Sequence, residues 1–353
     1  MESIIKTMTW NAKAEQAQRT LDNRFWNSSI RMYDILTPCP GGSCNTIFHY
    51  WWMAHAVETL VDGWNRTGDS FFKQRLSMLH QGILTRNGGE WPNNLYDDME
   101  WMAIGWLRAY EIDEDETYKQ TAETLWEDIK TGWNEVMGGG IAWQKTQLDY
   151  KNTPANAPAS ILAARFYKAF GRKDDLEWAI KIYDWQKEML VDPETGFVWD
   201  GLNRLGDGVI DKDWKFTYCQ GVFIGAAVEL YGITGDKGYL EDAKRTWHAA
   251  IKELAMNESG LMPAEGGGDA GLFKGIFVRY AGELAQALND GREVAGILAS
   301  NSSTLWSSIS NPDEALFGKS WDEAPTEDVE LSTQLSGVIL LETAALLEKQ
   351  GLL

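Results

Sequence analysis

The chain is short of positive charge, and this shortage excludes two classes of partner. Against 52 Asp and Glu residues it carries 32 Lys and Arg, which gives a formal net charge of −20. Nucleic-acid binding needs clustered Lys and Arg that face phosphates, and docking on anionic lipid needs the same clusters. We therefore expect no nucleic-acid partner and no membrane partner.

Cysteine and histidine are also scarce. The three cysteines are Cys39, Cys44 and Cys219, and this odd, low number suits free thiols in a reducing compartment. Cys39 and Cys44 lack the paired spacing of a zinc site, and the four histidines form no HExxH pair. We therefore expect no bound metal.

Long apolar runs are missing as well. No run approaches the roughly 20 residues of a membrane span. The first residues, MESIIKTMTWNAKAEQ, lack the apolar core and the cleavage site of a signal peptide. These two absences predict a cytoplasmic protein, although a secreted chain trimmed of its signal would look the same.

Tryptophan, in contrast, is abundant, with 18 copies in 353 residues. An indole ring can fill a core, and its flat face can also stack on the C–H face of a sugar ring. For any single tryptophan a core position is the simpler interpretation. For the group as a whole, a carbohydrate groove is a serious hypothesis.

A repeated plan runs along the whole chain: an apolar helix, a tight polar turn, then a more charged helix. No sustained alternation with a period of two is present, so we expect no sheet. The apolar helices start near residues 46, 97, 156, 217, 274 and 330, and a charged helix around residues 9–25 precedes the first of them. The pattern predicts an all-α fold, an (α/α)6 toroid with six inner and six outer helices, in a single domain over residues 1–353.

A DDxEW pattern occurs twice in the chain. The position of each copy in the predicted toroid distinguishes a catalytic role from helix capping. Asp97 and Asp98 begin an inner helix, whereas Asp174 and Asp175 begin an outer helix. In the predicted toroid the long loops surround the starts of the inner helices, and the short turns lie at the other end. The second pair is then most simply a helix cap, while the first pair points at the mouth of the ring.

The long loops and the inner-helix starts supply candidate groups for a neutral polyol ligand. Glycine-rich loops place Trp91, Trp143 and Trp199 just after their glycines. The remaining candidates are Tyr96 and Trp101 beside the aspartates, and Asn152, Asn156, Tyr218, Gln220 and Lys274 near other inner-helix starts. Each of these residues taken alone could equally be a loop or cap residue.

Paired carboxylates are the machinery of glycoside hydrolysis, one ionised and one protonated. Ionising one of two adjacent carboxyl groups raises the pKa of the other. Side chains at adjacent helix positions point about 100° apart, which would allow a carboxyl separation of about 5 Å, the spacing of a retaining mechanism. Spacing alone leaves catalysis and capping equally open for Asp97 and Asp98.

Several runs together resemble glycoside hydrolase family 76, the α-1,6-mannanases. They occur in the family's order over about residues 46–290: WWMAHAVETLVD, YDDMEW, GGGIAW, YKN, NAPASILAARFY, TYCQG, IGAAVELY and FKGIFVRY. The resemblance implies an (α/α)6 fold and retaining cleavage of α-1,6-linked mannose chains, with mannan or mannooligosaccharide as the partner. It also implies Asp97 as nucleophile, Asp98 as acid/base, Asp200 in the substrate cleft, and no metal or organic cofactor. Apart from the resemblance, we expect a monomer.

Two alternatives remain open at this stage. Unsaturated uronide hydrolases and sugar epimerases also use (α/α)6 toroids, but uronides need cations, for which Lys274 and Arg279 are the candidates, and epimerases need pocket histidines. The third interpretation is a glycan-binding protein without turnover, which binding without product release would support.

Overall fold

The computed structural model describes residues 8–311 and 313–353, and twelve α-helices dominate this part of the chain. The inner helices are α2 (Tyr50–Thr67), α4 (Tyr96–Asp113), α6 (Ala157–Phe170), α8 (Thr217–Thr234), α10 (Ala270–Ala287) and α12 (Leu331–Lys349). The outer helices are α1 (Trp10–Phe25), α3 (Ser70–Arg86), α5 (Glu116–Lys130), α7 (Lys173–Leu190), α9 (Lys237–Leu254) and α11 (Arg292–Ser308).

The inner helices form a closed ring. Each one contacts the next in chain order, and α12 contacts α2. Close approach depends on small residues, because a Cβ atom at Gly221 would lie 2.6 Å from the Cα atom of Phe277 and one at Gly275 would lie 2.7 Å from the Cα atom of Ser336. The predicted toroid is confirmed, and α4 and α10 stand on opposite sides of the ring.

Tight turns join each inner helix to the following outer helix. Gly68, Gly171 and Gly235 end α2, α6 and α8 with φ near +70°, a conformation that glycine adopts without strain. Asp69 and Asp236 then cap the next helix by accepting a backbone N–H. The long loops therefore gather at the other end of the ring, as the sequence predicted.

Short strands within the long loops contradict the expectation of no sheet. In the described residues β1 (Trp26–Asn27) pairs with β2 (Met32–Tyr33), β3 (Leu36–Thr37) with β7 (Val329–Glu330), and β5 (Gln147–Asn152) with both β4 (Ala142–Gln144) and β6 (Gly201–Leu202). All four pairings are antiparallel. Strands of two to six residues are too short for an alternating pattern to be visible in the sequence.

The second aspartate pair does not cap its helix. α7 begins at Lys173, so Asp174 and Asp175 lie inside its first turn. Asp174 is exposed, whereas Asp175 is buried. The Asp175 carboxylate accepts the Trp126 indole N–H at 2.9 Å and the Arg172 Nε–H at 2.8 Å. Asp175 therefore ties α7 to α5, and the capping interpretation is wrong.

Replacing Asp175 by Ala is expected to lower the free energy of unfolding by about 2 kcal/mol, because a buried indole N–H loses its acceptor. The matched change Asp174→Ala should stay within about 0.5 kcal/mol of wild type, as surface substitutions do. Urea unfolding of the two variants measures the difference. Equal destabilisation by both changes would contradict the anchoring role of Asp175.

The cysteines differ from the sequence prediction. Cys39 and Cys44 form a disulfide, so the expectation of free thiols is wrong for these two residues, while Cys219 is a buried free thiol. Disulfides persist in oxidising compartments. The thiol argument for a cytoplasmic location is therefore lost, and the location stays a prediction.

Two further predictions concern the chain as a whole. Within the described residues, none of the helices combines the length and the apolar character needed to cross a membrane. The helical ring extends from Trp10 to Lys349. A single domain over residues 1–353 stays a prediction, and residues 1–7 and Pro312 lie outside the part of the chain that the structure describes.

Candidate active site

A cavity of about 450 Å³ opens at the long-loop end of the ring. Its wall combines carboxylates, aromatic rings and amide groups. The lining residues are Phe48, His49, Tyr50, Trp51, Leu95, Asp97, Asp98, Trp101, Trp143, Tyr150, Asn152, Pro154, Asp200, Arg204, Trp214, Phe216, Tyr218, Asp269 and Phe273. The first aspartate pair thus lies where the predicted topology put it.

Asp97 and Asp98 are held by different partners. Asp97 accepts the Trp143 indole N–H at Oδ2 (3.1 Å) and the Asp98 backbone N–H at Oδ1 (2.9 Å). Asp98 accepts a weaker bond from the Asn93 amide at 3.4 Å. α4 begins at Tyr96, directly after the apolar Leu95. The stronger donors therefore stabilise the anion of Asp97.

The two carboxyl groups differ in proton affinity. Burial raises the pKa of Asp97 to about 7, against the opposing effect of its two hydrogen bonds. Burial also raises the pKa of Asp98 well above its usual range, and the negative charges of Asp97 and Asp269 raise it further. Asp98 therefore keeps its proton longer than Asp97 does, which is the asymmetry that an acid and a nucleophile need.

Asp200 is fixed on another wall of the cavity. Its carboxylate accepts bonds from Arg204 Nη2 (2.7 Å), Tyr150 Oη (3.2 Å) and Tyr218 Oη (3.4 Å). Arg204 also donates to Asp211 at 3.0 Å. Burial raises the pKa of Asp200, while the charge of Arg204 opposes the rise. The geometry suits a rigid acceptor for ligand hydroxyl groups.

Aromatic rings form flat walls in the same cavity. Tyr218 and Phe273 are stacked with centroids 3.9 Å apart and planes inclined by 5°. The Trp51 ring lies 6.4 Å from Trp101 and 6.4 Å from Phe273, which are on opposite sides of the ring of helices. Such faces can contact the C–H groups of sugars.

Five of the nine predicted substrate-binding residues line the cavity: Trp101, Trp143, Asn152, Asp200 and Tyr218. Whether they contact a ligand stays a prediction. The other four, which are Tyr96, Asn156, Gln220 and Lys274, are buried away from the cavity lining. The structure therefore corrects the prediction that these four side chains contact a substrate directly.

Two of these four residues, Asn156 and Gln220, use their side-chain amides for hydrogen bonds to the backbone. Asn156 accepts the N–H of Ile141 at 2.8 Å and donates to its carbonyl at 2.9 Å. Gln220 accepts the N–H of Val198 at 2.8 Å and donates to its carbonyl at 2.6 Å. Each amide therefore fixes a long loop to the start of an inner helix.

The remaining two are fixed by other contacts. The Tyr96 hydroxyl lies 3.3 Å from the Thr131 hydroxyl. Lys274 donates to the carbonyl of Lys319 at 2.6 Å and lies over the ring of Trp321. Both side chains stabilise the walls of the long-loop end rather than its opening.

The predicted positions of two loop tryptophans and of the cationic side chains also differ from the structure. Trp91 and Trp199 are buried, so Trp143 alone of the three loop tryptophans reaches the cavity. Arg279 lies in the middle of α10, outside the cavity lining, and is paired with Asp62 at 2.8 Å. The arginine that lines the cavity is Arg204.

Several lining residues escaped the sequence reasoning, including Trp51, Arg204, Asp269 and Phe273. Trp51 and Phe273 lie within runs that read as buried helices, so their position at the ring's mouth had no separate signal. Asp269 follows GGG in a loop, a context that also fits a turn. In the described residues no group of three or more His, Cys, Asp and Glu side chains could hold a metal ion.

Comparison with known proteins gives a consistent picture. The profile of glycosyl hydrolase family 76 matches residues 7–352. The structure of the GH76A α-1,6-mannanase from Salegentibacter sp. HEL1_6 is 41% identical, with a TM-score of 0.90 over 96% of this chain and 99% of that one. An inactive variant of that enzyme, with two consecutive aspartates replaced by alanine, is known in complex with α-1,6-mannotetrose; it is 40% identical, with a TM-score of 0.91 over 96% of this chain and 100% of that one.

Curated sequences are more distant. Mannan endo-1,6-alpha-mannosidase DCW1 of Candida glabrata is 25% identical over 272 residues, which is 69% of this chain and 60% of that protein. The chain thus spans about 60% of the length of this relative and of DCW1 from Saccharomyces cerevisiae. The profile match over nearly the whole chain nevertheless decides the assignment: the chain belongs to glycoside hydrolase family 76.

Proposed function

We propose that the chain hydrolyses α-1,6-linked mannose chains with retention of anomeric configuration. The observation that carries the proposal is the pair Asp97 and Asp98, two adjacent carboxyl groups of unequal proton affinity on the wall of one cavity. Family membership supports the reaction class. The solved α-1,6-mannanase relative supports the linkage and the sugar.

The roles follow from the contacts of the two groups. Asp97 is the nucleophile, because two N–H donors stabilise its anion. Asp98 is the acid/base, since its proton is held by burial and by the neighbouring negative charge. In the first step Asp98 protonates the glycosidic oxygen while an Asp97 oxygen bonds to the anomeric carbon and the leaving sugar departs. In the second step Asp98 takes a proton from water, which displaces Asp97.

The relative's inactive variant supports the choice of pair. Two consecutive aspartates are replaced in it, and this chain has consecutive aspartates at 97–98 and at 174–175. Asp175 is occupied by Trp126 and Arg172 away from the cavity. The pair at 97–98 is therefore the candidate for the same chemistry.

The cavity wall suits a neutral polymer of sugars. Tyr218, Phe273 and Trp51 offer flat apolar faces, and Asn152 and Asp200 offer polar groups for hydroxyls. The net charge of −20 imposes no electrostatic cost on an uncharged mannan.

Product analysis tests the proposal. Wild-type protein would be incubated with linear α-1,6-mannan and with short α-1,6-mannooligosaccharides, and the first-formed products followed by NMR before mutarotation. We expect shorter oligosaccharides in the α configuration. First-formed β products would overturn retention, and the absence of turnover in a folded protein would overturn the mannanase proposal and favour a binding role.

Replacing Trp143 by Phe should move the acidic limb of the pH profile of kcat/KM to higher pH. Trp143 donates to the ionised form of Asp97, so its loss raises the pKa of Asp97 and delays formation of the nucleophile. The expected displacement is about 1 pH unit, because a hydrogen bond to a charged group contributes about 1.5 kcal/mol.

Trp214→Phe is the matched control for this prediction. Trp214 also lines the cavity, but its ring lies over Arg204 at 3.7 Å. The control should therefore leave the acidic limb in place even if KM changes. An equal displacement in both variants would assign the effect to general damage of the cavity.

A further inference from the structure

A third aspartate faces the catalytic pair across the cavity. Asp269 directly precedes α10, which stands opposite α4 in the ring of inner helices. It lines the same cavity as Asp97 and Asp98, and its side chain is 60% exposed there. The carboxylate at this position therefore belongs to the wall of the ligand space that the pair also lines.

Two indole groups hold Asp269 in place. Trp51 and Trp52 of α2 donate their Nε1–H groups to the same oxygen, Oδ1, at 2.8 Å and 2.9 Å. Oδ2 accepts no hydrogen bond from the described part of the chain, and α10 is not capped by this side chain. An anchored carboxylate with one oxygen left to the cavity is a fixed negative charge.

Within residues 8–311 and 313–353, the one basic group paired with this charge is His49, whose Nδ1 lies 3.9 Å from Asp269 Oδ1. The His49 ring stacks on Trp52, and burial lowers the pKa of His49. The imidazole is therefore neutral near pH 7, and the charge of Asp269 stays uncompensated.

The other titratable groups around the pair do not replace this charge. They are Tyr50 on α2, Glu100 on α4, Tyr150 on β5, Tyr218 on α8, Asp200 and Arg204 in the loop after α7, and Glu330 before α12. Burial raises the pKa values of Tyr50, Tyr150, Tyr218 and Glu100, so these groups are neutral. Asp200 and Arg204 pair with each other, and Glu330 is bound to the Gly268 N–H at 2.7 Å.

We propose that Asp269 is a positioning residue of the catalytic pair, whose fixed negative charge keeps the acid proton on Asp98. The inference rests on the proposed roles of Asp97 and Asp98. A negative charge held in the same cavity disfavours a second and third negative charge there. The effect of Asp269 on the pKa values of both Asp97 and Asp98 has this sign.

Asp269→Asn separates charge from anchoring, because the amide oxygen can still accept the two indole N–H groups. The probe is the protein labelled with 13Cγ-aspartate, with the two resonances assigned by their loss in Asp97→Asn and Asp98→Asn. We expect the titration midpoints of both carboxyl groups to move to lower pH in Asp269→Asn, and more strongly at low ionic strength. Asp269→Ser is a second charge-removing variant and should move them in the same direction.

Two controls match these variants. Trp52→Phe removes one anchoring donor and keeps the charge, and Asp174→Asn removes one negative charge on the exposed surface at the short-turn end. Asp174→Asn should leave the midpoints in place, and Trp52→Phe should move them less than Asp269→Asn does. Unchanged midpoints in Asp269→Asn and Asp269→Ser would overturn the inference.

The titration is read without turnover, so it remains decisive if the protein cleaves no mannan. Where turnover is present, the alkaline limb of kcat/KM should follow the midpoint of Asp98 to lower pH in Asp269→Asn. If Asp269→Asn turns over substrate with the alkaline limb of wild type, the role of Asp269 is overturned while the proposed function stands.

Discussion

Replacing Asp97 by Asn is expected to reduce kcat on α-1,6-mannan by on the order of 10⁴-fold or more, because removal of a covalent nucleophile leaves only binding and acid catalysis. The amide oxygen can still accept one of the two N–H groups that now bind Asp97. The ring of helices therefore stays intact, and the loss belongs to chemistry. Turnover of oligosaccharides, followed by product NMR, measures it.

Asp97→Asn should also be more stable than wild type, and the pH dependence of this gain should show that it comes from the raised pKa of Asp97. Burial raises the pKa of Asp97 from 3.8 to about 7, so between these values the folded protein binds more protons than the unfolded chain. The contribution of Asp97 to the stability of wild type therefore falls as pH rises from about 4 to about 7. Asn does not titrate, so the difference in Tm between Asp97→Asn and wild type should grow over this range.

Asp174→Asn is the control for both measurements. It changes the first aspartate of the other pair, which is exposed at the short-turn end of α7. Activity and Tm should both stay close to those of wild type, as expected for an exposed surface substitution. Substantial turnover by a folded Asp97→Asn protein would remove Asp97 from the role of nucleophile.

Periodicity and turn chemistry were enough to predict the ring. Inner helices predicted to start near 97, 156, 217 and 330 begin at Tyr96, Ala157, Thr217 and Leu331. The predicted starts near 46 and 274 are four residues away from Tyr50 and Ala270. All six inner helices begin without a side-chain cap that would mark the first residue.

The function of individual polar residues was harder to predict. An amide that binds a sugar hydroxyl and an amide that binds a backbone have the same chemistry, so the sequence could not separate Asn152 from Asn156. The structure separates them by position, because Asn152 lines the cavity and Asn156 holds Ile141. Asp269 was missed for another reason. Its glycine-rich loop predicts a turn, and the sequence gives no sign that this loop lies across the ring from α4.

Replacing Asp98 by Asn is expected to produce a different defect from that of Asp97→Asn. On mannan, whose leaving sugar needs a proton, loss of the acid should lower kcat by about 10²–10⁴-fold. On α-1,6-mannobiosyl fluoride, whose leaving group needs no proton, the first step should survive. The second step still lacks its base, so fluoride release should show a burst of one equivalent per enzyme followed by slow turnover.

Added azide separates the two roles in one experiment. Azide attacks without base catalysis, so it should restore turnover in Asp98→Asn and give an α-mannosyl azide, because the covalent bond to Asp97 forms and breaks with two inversions. In Asp97→Asn the attack would occur without an intermediate and give the β azide, if any product forms. A β azide from Asp98→Asn would mean that Asp98 is the nucleophile and Asp97 the acid/base. The contact pattern predicts the opposite outcome, since Trp143 and the Asp98 backbone N–H both stabilise an anion at Asp97.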